Sequence, residues 1–228
     1  LQCKKKFWKN LMTKELKKRI ITSIILFIAA ILCIVINEVI FIFAILIVFA
    51  RCFHEWNDIN LPYFFIKRKN RGEFVFVQLA GLVYLFIFLY SAVFIYKVLG
   101  TTFFVFILCI CVFSDIGGYI FGKTIGGKRL TKISPNKTIS GSIGSFIFSL
   151  APLLLFNYDL ILENLLFCFI VSLSCQLGDL IISYFKRLNK VKNTGNILPG
   201  HGGLLDRIDG IIFVVPTIYI LKNYLGIF

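Results

Sequence analysis

The sequence predicts an all-α polytopic membrane protein, with about seven transmembrane helices in one bundle and polar loops on the cytoplasmic side. Hydrophobic residues make up 58% of its 228 residues, whereas soluble domains contain about 45–50%. The apolar residues lie in continuous runs close to the length of about 20 residues that a membrane helix needs. Basic residues cluster between these runs, and the formal net charge is +14.

The chain divides into a basic arm and a membrane domain. Residues 1–19 are rich in lysine and are predicted to form a cytoplasmic arm, and residues 20–228 are predicted to form the integral membrane domain. A secretory signal peptide also starts with basic residues, but no small-residue cleavage site follows Ile36. We therefore expect the first apolar run to remain as an anchor.

Seven apolar runs are predicted to cross the membrane. They are residues 20–36, 39–53, 74–96, 101–121, 141–158, 160–185 and 208–228. Only Asn37 and Glu38 separate the first two runs, which predicts a tight helical hairpin. With seven spans, the basic segments 1–19, 67–71, 123–137 and 186–207 all fall on one side.

The distribution of charge predicts the orientation. Basic loops are retained on the cytoplasmic face of membrane proteins, so that face should carry the polar loops. In a soluble protein, so high a positive charge would favour nucleic acid as a partner. In an apolar chain it favours an anionic lipid surface instead, and we expect no nucleic-acid partner.

The first polar cluster surrounds Asp115, which lies within or at the end of an apolar run. Carboxylates inside the membrane are costly and usually functional, so Asp115 is a candidate site residue. The alternative is a structural ion pair with a neighbouring cation. Gly117 and Gly118 follow it, and these glycines suit either helix packing or close approach to a ligand.

The second cluster contains Ser134, Lys137 and Thr138, directly before an apolar run. A lysine and hydroxyl groups at the amino terminus of a helix favour anion binding, because free backbone N–H groups point outward there. The alternative is a solvated basic loop of the kind that is common on the cytoplasmic face.

The third cluster lies at the end of the sixth apolar run. On a helix, Asp179, Ser183 and Lys186 share one face, and Arg187 follows. A carboxylate, a hydroxyl and a cation in one stripe could coordinate a metal and guide phosphate. Lysine and arginine also extend from helix ends to reach water, which would explain the cations but not Asp179.

The fourth cluster runs from His201 through Gly202 and Gly203 to Asp206 and Asp209. The two acids are three residues apart, so on a helix they face one way and suit a hard cation such as Mg²⁺. The alternatives are a flexible glycine turn and aspartate as a helix cap. His201 is interpreted as a nucleotide contact or a loop hydrogen-bonding residue, because an anionic phosphate needs no general base.

The residues from Ser183 through Asp209 resemble the signature of the phosphatidate cytidylyltransferase family, and the segments 115–138 and 16–22 resemble other parts of it. A pattern of this length is far more specific than a single glycine-rich loop. The one departure is Asn193, which stands where the family pattern has aspartate. At this position asparagine offers an oxygen but lacks the charge that aspartate would bring to a metal or phosphate.

The resemblance implies that CTP and phosphatidic acid react to give CDP-diacylglycerol and pyrophosphate, with Mg²⁺ as cofactor and room for a second, monovalent cation. The implied catalytic residues are Asp206, Asp179, Lys137, Lys186 and Arg187. The implied substrate contacts are Ser134, Thr138, Ser183, His201, Gly202, Gly203 and Arg207. The implied metal ligands are Asp206, Asp179, Asp209 and Asp115. The expected location is the bacterial inner membrane with the site facing the cytoplasm, and a homodimer is left open.

Two other functions remain as alternatives. A CTP-dependent polyprenol or phytol kinase also pairs CTP with a lipid, but it would yield a lipid monophosphate. A membrane transporter could use intramembrane acids to carry an ion, although a transport pathway does not require so dense a cluster of glycine and cations.

Overall fold

The computed structural model describes residues 14–67, 71–131, 133–195 and 202–224, and within these ranges the regular structure is α-helical. The helices are α1 (Lys14–Ile36), α2 (Glu38–Lys67), α3 (Arg71–Thr124), α4 (Ile139–Phe148), α5 (Ala151–Leu155), α6 (Leu162–Leu188), α7 (Leu205–Ile208) and α8 (Ile211–Tyr224). This confirms the predicted all-α class.

Three stretches are long and apolar enough to span a bilayer: Glu38–Leu61, Gly72–Thr124 and Leu162–Leu188. Shorter apolar helices cover Ile21–Ile36, Ile139–Leu155 and Ile211–Tyr224. Many large apolar side chains on these helices point outward, for example Phe43 and Phe76, as expected where lipid replaces water. The chain is an integral membrane protein, and the count of seven crossings stays a prediction.

Helix α3 contains two of the predicted spans and breaks at Gly100, whose φ of 83° and ψ of 171° are not helical. At the start of α3, the Val77 carbonyl accepts a hydrogen bond from Trp56, whose ring contacts Phe185 of α6. At the end of α3, Asp115 shares a cavity with Asp179 of α6. Both ends of α3 therefore lie beside the same end of α6, so the chain reverses at Gly100.

The opposite end of the bundle is aromatic. The Phe41 ring stacks on Tyr96 at 4.3 Å and meets Phe104 edge-on at 5.2 Å, which brackets the break at Gly100. The Tyr96 hydroxyl donates to the Ile34 carbonyl at 3.1 Å and so ties α1 to the same end. These contacts place the polar cavity and the Gly100 turn at opposite ends of the bundle.

Several predicted boundaries were wrong. The run predicted to end at residue 53 continues as α2 to Lys67, and this extension reaches the polar end of the bundle. The span predicted over 141–158 is instead two short helices, α4 and α5, interrupted after Phe148. The last predicted span is preceded by the separate short helix α7. The tight connection after α1 is confirmed, since the Asn37 side chain accepts from Val39 N–H at the start of α2.

Glycines pack α4 closely against the second half of α3. A Cβ atom at Gly117 would collide with the Gly144 carbonyl and lie 2.6 Å from Cβ of Phe148. A Cβ at Gly118 would lie 2.6 Å from Oγ of Ser145. Small residues let membrane helices approach in this way, so the packing interpretation of Gly117 and Gly118 is the one that the structure supports.

Candidate active site

A cavity of about 370 Å³ opens at the polar end of the bundle, where the ends of α3 and α6 meet the segment around α7. The chain brings its charged residues here from regions that are distant in sequence. The lining residues are Asp115, Asp179, Lys186, Lys192, Asn193, Asp206, Arg207 and Asp209. All four carboxylates singled out from the sequence therefore face one cavity.

Asp206 accepts three hydrogen bonds at this cavity. Its Oδ1 atom accepts from Nζ of Lys186 at 2.6 Å, and its Oδ2 atom accepts from the backbone N–H of Thr194 at 2.7 Å and of Gly203 at 3.2 Å. Only 8% of the Asp206 side chain and 12% of the Lys186 side chain is exposed. Asp206 thus joins α6, the start of α7 and the segment before it.

Asp179 lies one turn before Ser183 on α6, as the helical spacing predicted. The Ser183 hydroxyl donates to Oδ1 of Asp179 at 3.2 Å, and Nζ of Lys137 lies 2.5 Å from Oδ2. The carboxyl groups of Asp179 and Asp209 are also within hydrogen-bonding reach of each other. Lys137 therefore crosses from the segment before α4 to the carboxylate on α6.

Asp115 faces the cavity from α3 and is exposed to it. Its carboxylate interacts electrostatically with Asp179, Lys137 and Arg207, and the Cys175 thiol lies 3.9 Å from Oδ1. In this structure the acids thus repel one another across the cavity, while cations from three segments offset part of that repulsion.

The segment before α4 is organised mainly by its own hydrogen bonds. The Thr138 hydroxyl caps α4 by accepting from Gly141 N–H at 3.1 Å, and it also bonds to Ser140 at 3.0 Å. Ser134 lies in a turn, where its carbonyl accepts from Lys137 N–H at 3.1 Å. Of the residues predicted here, Lys137 is the one whose side chain reaches the carboxylates.

The structure does not bring every predicted residue to the cavity. Within the described ranges, the predicted side chains absent from the lining are Ser134, Lys137, Thr138, Ser183 and Arg187. Lys137 and Ser183 nevertheless bond to Asp179, which lines the cavity, whereas Arg187 is exposed in the last turn of α6. Gly202 and Gly203 lie beside Asp206, because a Cβ at Gly202 would be 2.7 Å from its Oδ2 atom. His201 lies outside the described residues.

Sequence reasoning missed the most buried acid near the site. Glu55 of α2 is 1% exposed and accepts from the Thr194 hydroxyl and from the backbone N–H groups of Leu204 and Leu205. Glu55 stands beside His54, which forms an exposed pair with Asp58. An acid next to the end of an apolar run was the one available signal.

A second missed feature is a polar chain that joins three helices beneath the cavity. The hydroxyls of Ser114 and Ser172 are 2.8 Å apart, Gln176 donates to Ser172 at 3.3 Å, and Ser142 donates to Gln176 at 2.5 Å. Such bonds between membrane helices are worth about 0.6–1.7 kcal/mol each. They fix α3, α4 and α6 directly below Asp115 and Asp179.

The donor set suits a hard divalent cation, since carboxylate oxygens are the ligands that Mg²⁺ prefers. Among the described residues, however, no three acid, histidine or cysteine side chains are grouped closely enough to hold a metal ion by themselves. Mg²⁺ commonly takes one or two carboxylates and completes its shell with water and substrate phosphates. The cavity fits that mode of binding, and Asp179, Asp209 and Asp115 are acids that interact electrostatically with one another there.

These features define a helical membrane protein with a charged pocket at one end of its bundle. A model of the cytidylyltransferase family matches residues 59–225. This match covers well over half of the chain, so the chain belongs to the cytidylyltransferase family, and the resemblance predicted from the sequence is confirmed.

Individual relatives agree with the family match. The chain is 50% identical over 115 residues to a phosphatidate cytidylyltransferase of Staphylococcus haemolyticus, covering 47% of this chain and 44% of that protein. It is 42% identical over 125 residues to a phosphatidate cytidylyltransferase of Bacillus subtilis, covering 52% of this chain and 46% of that protein. It is 44% identical over 127 residues to a phosphatidate cytidylyltransferase of Rickettsia bellii, covering 50% of this chain and 55% of that protein. The chain thus spans about half the length of the curated relatives it matches.

Proposed function

We propose that the protein is a phosphatidate cytidylyltransferase, which transfers CMP from CTP to phosphatidic acid and gives CDP-diacylglycerol and pyrophosphate. The observation that carries this proposal is the meeting of four carboxylates with Lys186, Lys192 and Arg207 in one cavity at the end of an apolar bundle. Membership in the cytidylyltransferase family supports the same reaction.

The chemistry requires this mixture of charges. A phosphate oxygen of phosphatidic acid attacks the α-phosphorus of CTP, and the bond from that phosphorus to the oxygen bridging to the β-phosphorus breaks. Pyrophosphate leaves with the bonding electron pair. Since both reactants are anions, cations must offset their repulsion in the transition state. An anionic phosphate attacks without a general base, so no residue needs to remove a proton.

Mg²⁺ is the proposed cofactor, with Asp179, Asp209 and Asp115 as its first candidate ligands. When bound, it would neutralise phosphate charge and polarise the phosphoryl oxygens. Asp206 stays in the proposed ligand set, but three hydrogen bonds already engage its two oxygens. We therefore assign Asp206 first to holding Lys186 and the segment before α7 in place. A second, monovalent cation remains part of the proposal.

The lysines are the proposed phosphate contacts. The ammonium groups of Lys137 and Lys186 pair with Asp179 and Asp206 at 2.5 Å and 2.6 Å, and both of these acids line the cavity. Lys192 and Arg207 line the same cavity and add positive charge for the nucleotide. Arg187, Ser134, Thr138 and His201 remain weaker candidates for contact with substrate.

The proposed location is the bacterial inner membrane, with the cavity at the cytoplasmic face, because basic segments mark that face. CTP would enter from the cytosol, whereas the acyl chains would remain against the apolar helix surfaces. Such an arrangement keeps the lipid headgroup and the nucleotide at one depth. Whether the enzyme is a homodimer stays a prediction.

The test uses purified protein, Mg²⁺ and CTP labelled in either the α- or the γ-phosphate. With phosphatidic acid as acceptor, label from the α-phosphate should enter lipid and label from the γ-phosphate should leave as pyrophosphate. A lipid kinase given its polyprenol or phytol acceptor would show the reverse labelling, and a transporter would label no lipid.

Matched variants connect the reaction with the cavity. Replacing one preorganised charged group commonly lowers kcat by about 100- to 1,000-fold, and we expect this for Asp179→Asn. The control is Asp58→Asn, because Asp58 is an exposed acid that pairs with His54 on the same helix, α2. Equal activity of the two variants would contradict the assignment of Asp179.

A further inference from the structure

Glu55 is a fully buried acid whose three hydrogen bonds connect it to sequence neighbours of residues that line the cavity. It lies in the part of α2 beyond the predicted end of the span and is 1% exposed. Its partners are the Thr194 hydroxyl at 2.8 Å, Leu204 N–H at 2.8 Å and Leu205 N–H at 2.9 Å. A carboxylate that accepts several N–H and O–H bonds forms strong, charge-assisted contacts.

These donors come from two described stretches of the chain. Thr194 lies in the stretch that follows α6, and Leu204 and Leu205 lie at the start of α7. One carboxylate therefore joins the two stretches and caps α7. The contact is tight, because a Cβ atom at Gly203 would collide with Thr194 Oγ1 and with Glu55 Oε2.

The same residues set the position of Asp206. Thr194 binds Glu55 through its hydroxyl and donates its backbone N–H to Asp206 at 2.7 Å. Leu205 directly precedes Asp206 on α7. Asp206 in turn accepts from Lys186 at 2.6 Å, so a continuous set of bonds runs from Glu55 to a lysine in the cavity.

Other contacts hold this part of α2 rigid. Trp56 donates to the Val77 carbonyl at 3.3 Å and packs edge-on against Phe185 of α6. One helical turn further on, Asn60 accepts from Asn189 at 3.0 Å, which anchors α2 to the end of α6. The part of α2 that carries Glu55 is therefore fixed against α3 and against the end of α6.

We propose that Glu55 is a positioning residue for cytidylyl transfer. Through Thr194 and the start of α7, it fixes where Asp206 and Lys186 stand in the cavity, without contact to substrate. This inference rests on the proposed function. It goes beyond the resemblance, whose implied site residues do not include Glu55.

The first experiment is a pair of substitutions at Thr194. Thr194→Val keeps the volume but removes the hydroxyl that reaches Glu55, and Thr194→Ser retains that hydroxyl. Loss of such an outer partner commonly lowers activity by about 10- to 100-fold. We expect this loss in kcat for Thr194→Val, together with a higher Mg²⁺ concentration at half-maximal rate, and near-normal values for Thr194→Ser. Glu55→Gln should act in the same direction as Thr194→Val.

The control is Ser91→Ala, since the Ser91 hydroxyl is buried and has no hydrogen-bond partner among the described residues. It tests loss of a buried hydroxyl away from the cavity and should leave kcat and the Mg²⁺ dependence unchanged. Rates are expressed per folded molecule. A purely structural role for Glu55 would reduce the folded fraction alone, and that result would overturn the proposal.

Hydrogen exchange gives a second readout that does not need turnover. Protection of the Thr194 N–H, which donates to Asp206, should fall in Glu55→Gln and stay unchanged in Ser91→Ala. Unchanged protection in Glu55→Gln would overturn the proposal. If exchange responds as expected but the wild-type protein transfers no CMP, the positioning role stands and the proposed function fails.

Discussion

Replacing Lys186 with methionine should destabilise the protein more than any comparable change at an exposed lysine. Lys186 and Asp206 form a 2.6 Å pair whose side chains are 12% and 8% exposed. Methionine has a similar length but no charge, so Asp206 would keep its two backbone donors and lose its counter-ion.

The size of the effect follows from burial. Breaking a buried ion pair from one side costs about 3–5 kcal/mol, because the remaining charge is uncompensated. The two remaining backbone bonds to Asp206 place the expected loss near the lower end, at about 3 kcal/mol. For a chain of this length, each kcal/mol moves the melting temperature by about 2–4 °C, so Tm should fall by about 6–12 °C.

The chain offers a matched control at the opposite end of the bundle. Lys97 and Glu38 form a pair of similar length, 2.8 Å, but their side chains are 55% and 47% exposed. Exposed pairs contribute about 0.2–1 kcal/mol. Lys97→Met should therefore lower Tm by about 4 °C at most.

The assay is thermal unfolding in detergent without substrate, followed by circular dichroism, so that activity plays no part. A double variant tests separately whether the unpaired charge causes the loss of stability. Adding Asp206→Asn to Lys186→Met removes the unpaired charge, while the asparagine oxygen can still accept from Thr194 N–H. The double variant should be more stable than Lys186→Met alone. Equal Tm shifts for Lys186→Met and Lys97→Met, or a less stable double variant, would refute the reasoning from burial.

Two further predictions concern the backbone. Gly117→Ala should destabilise the protein by about 1–3 kcal/mol through overpacking, because its Cβ would meet Gly144 and Phe148. The control is Gly72→Ala, which has open space around the added Cβ and should leave Tm unchanged or slightly higher. Equal Tm shifts for the two variants would contradict the packing of α3 on α4. Gly100→Ala should lower the free energy of unfolding by about 1–3 kcal/mol through backbone strain alone, since the φ of Gly100 is +83° and nothing lies within 4 Å of the added Cβ. An unchanged Tm would contradict this prediction, because the turn would then relax readily.

The sequence predicted the features that depend on local pattern. Apolar runs predicted the helical membrane class, and the spacing on α6 placed Asp179 and Ser183 within hydrogen-bonding distance, at 3.2 Å. Apolar character does not report where a helix ends, however. Helix α2 continues to Lys67, well past the end of its apolar run, and Glu55, Trp56 and Asn60 in this extension bond to other parts of the chain.

The features that the sequence could not predict depend on contacts between distant segments. Glu55 is buried because Thr194, Leu204 and Leu205 supply its hydrogen bonds, and no pattern around Glu55 indicates those partners. The predicted roles of Thr138 and Ser134 were drawn from their place before α4. The structure shows the Thr138 hydroxyl bonded to the first turn of that helix, since a hydroxyl at such a position caps the helix as readily as it binds an anion.

Binding of Mn²⁺ in place of Mg²⁺ tests most directly whether the converging acids hold a divalent cation. Electron paramagnetic resonance would follow Mn²⁺ on the purified protein with a CTP analogue that cannot react. We expect the wild-type protein and Asp58→Asn to bind the ion with equal affinity, and Asp179→Asn to bind it at least about tenfold more weakly. Undiminished binding by Asp179→Asn would contradict the account, because the ion would then reside elsewhere.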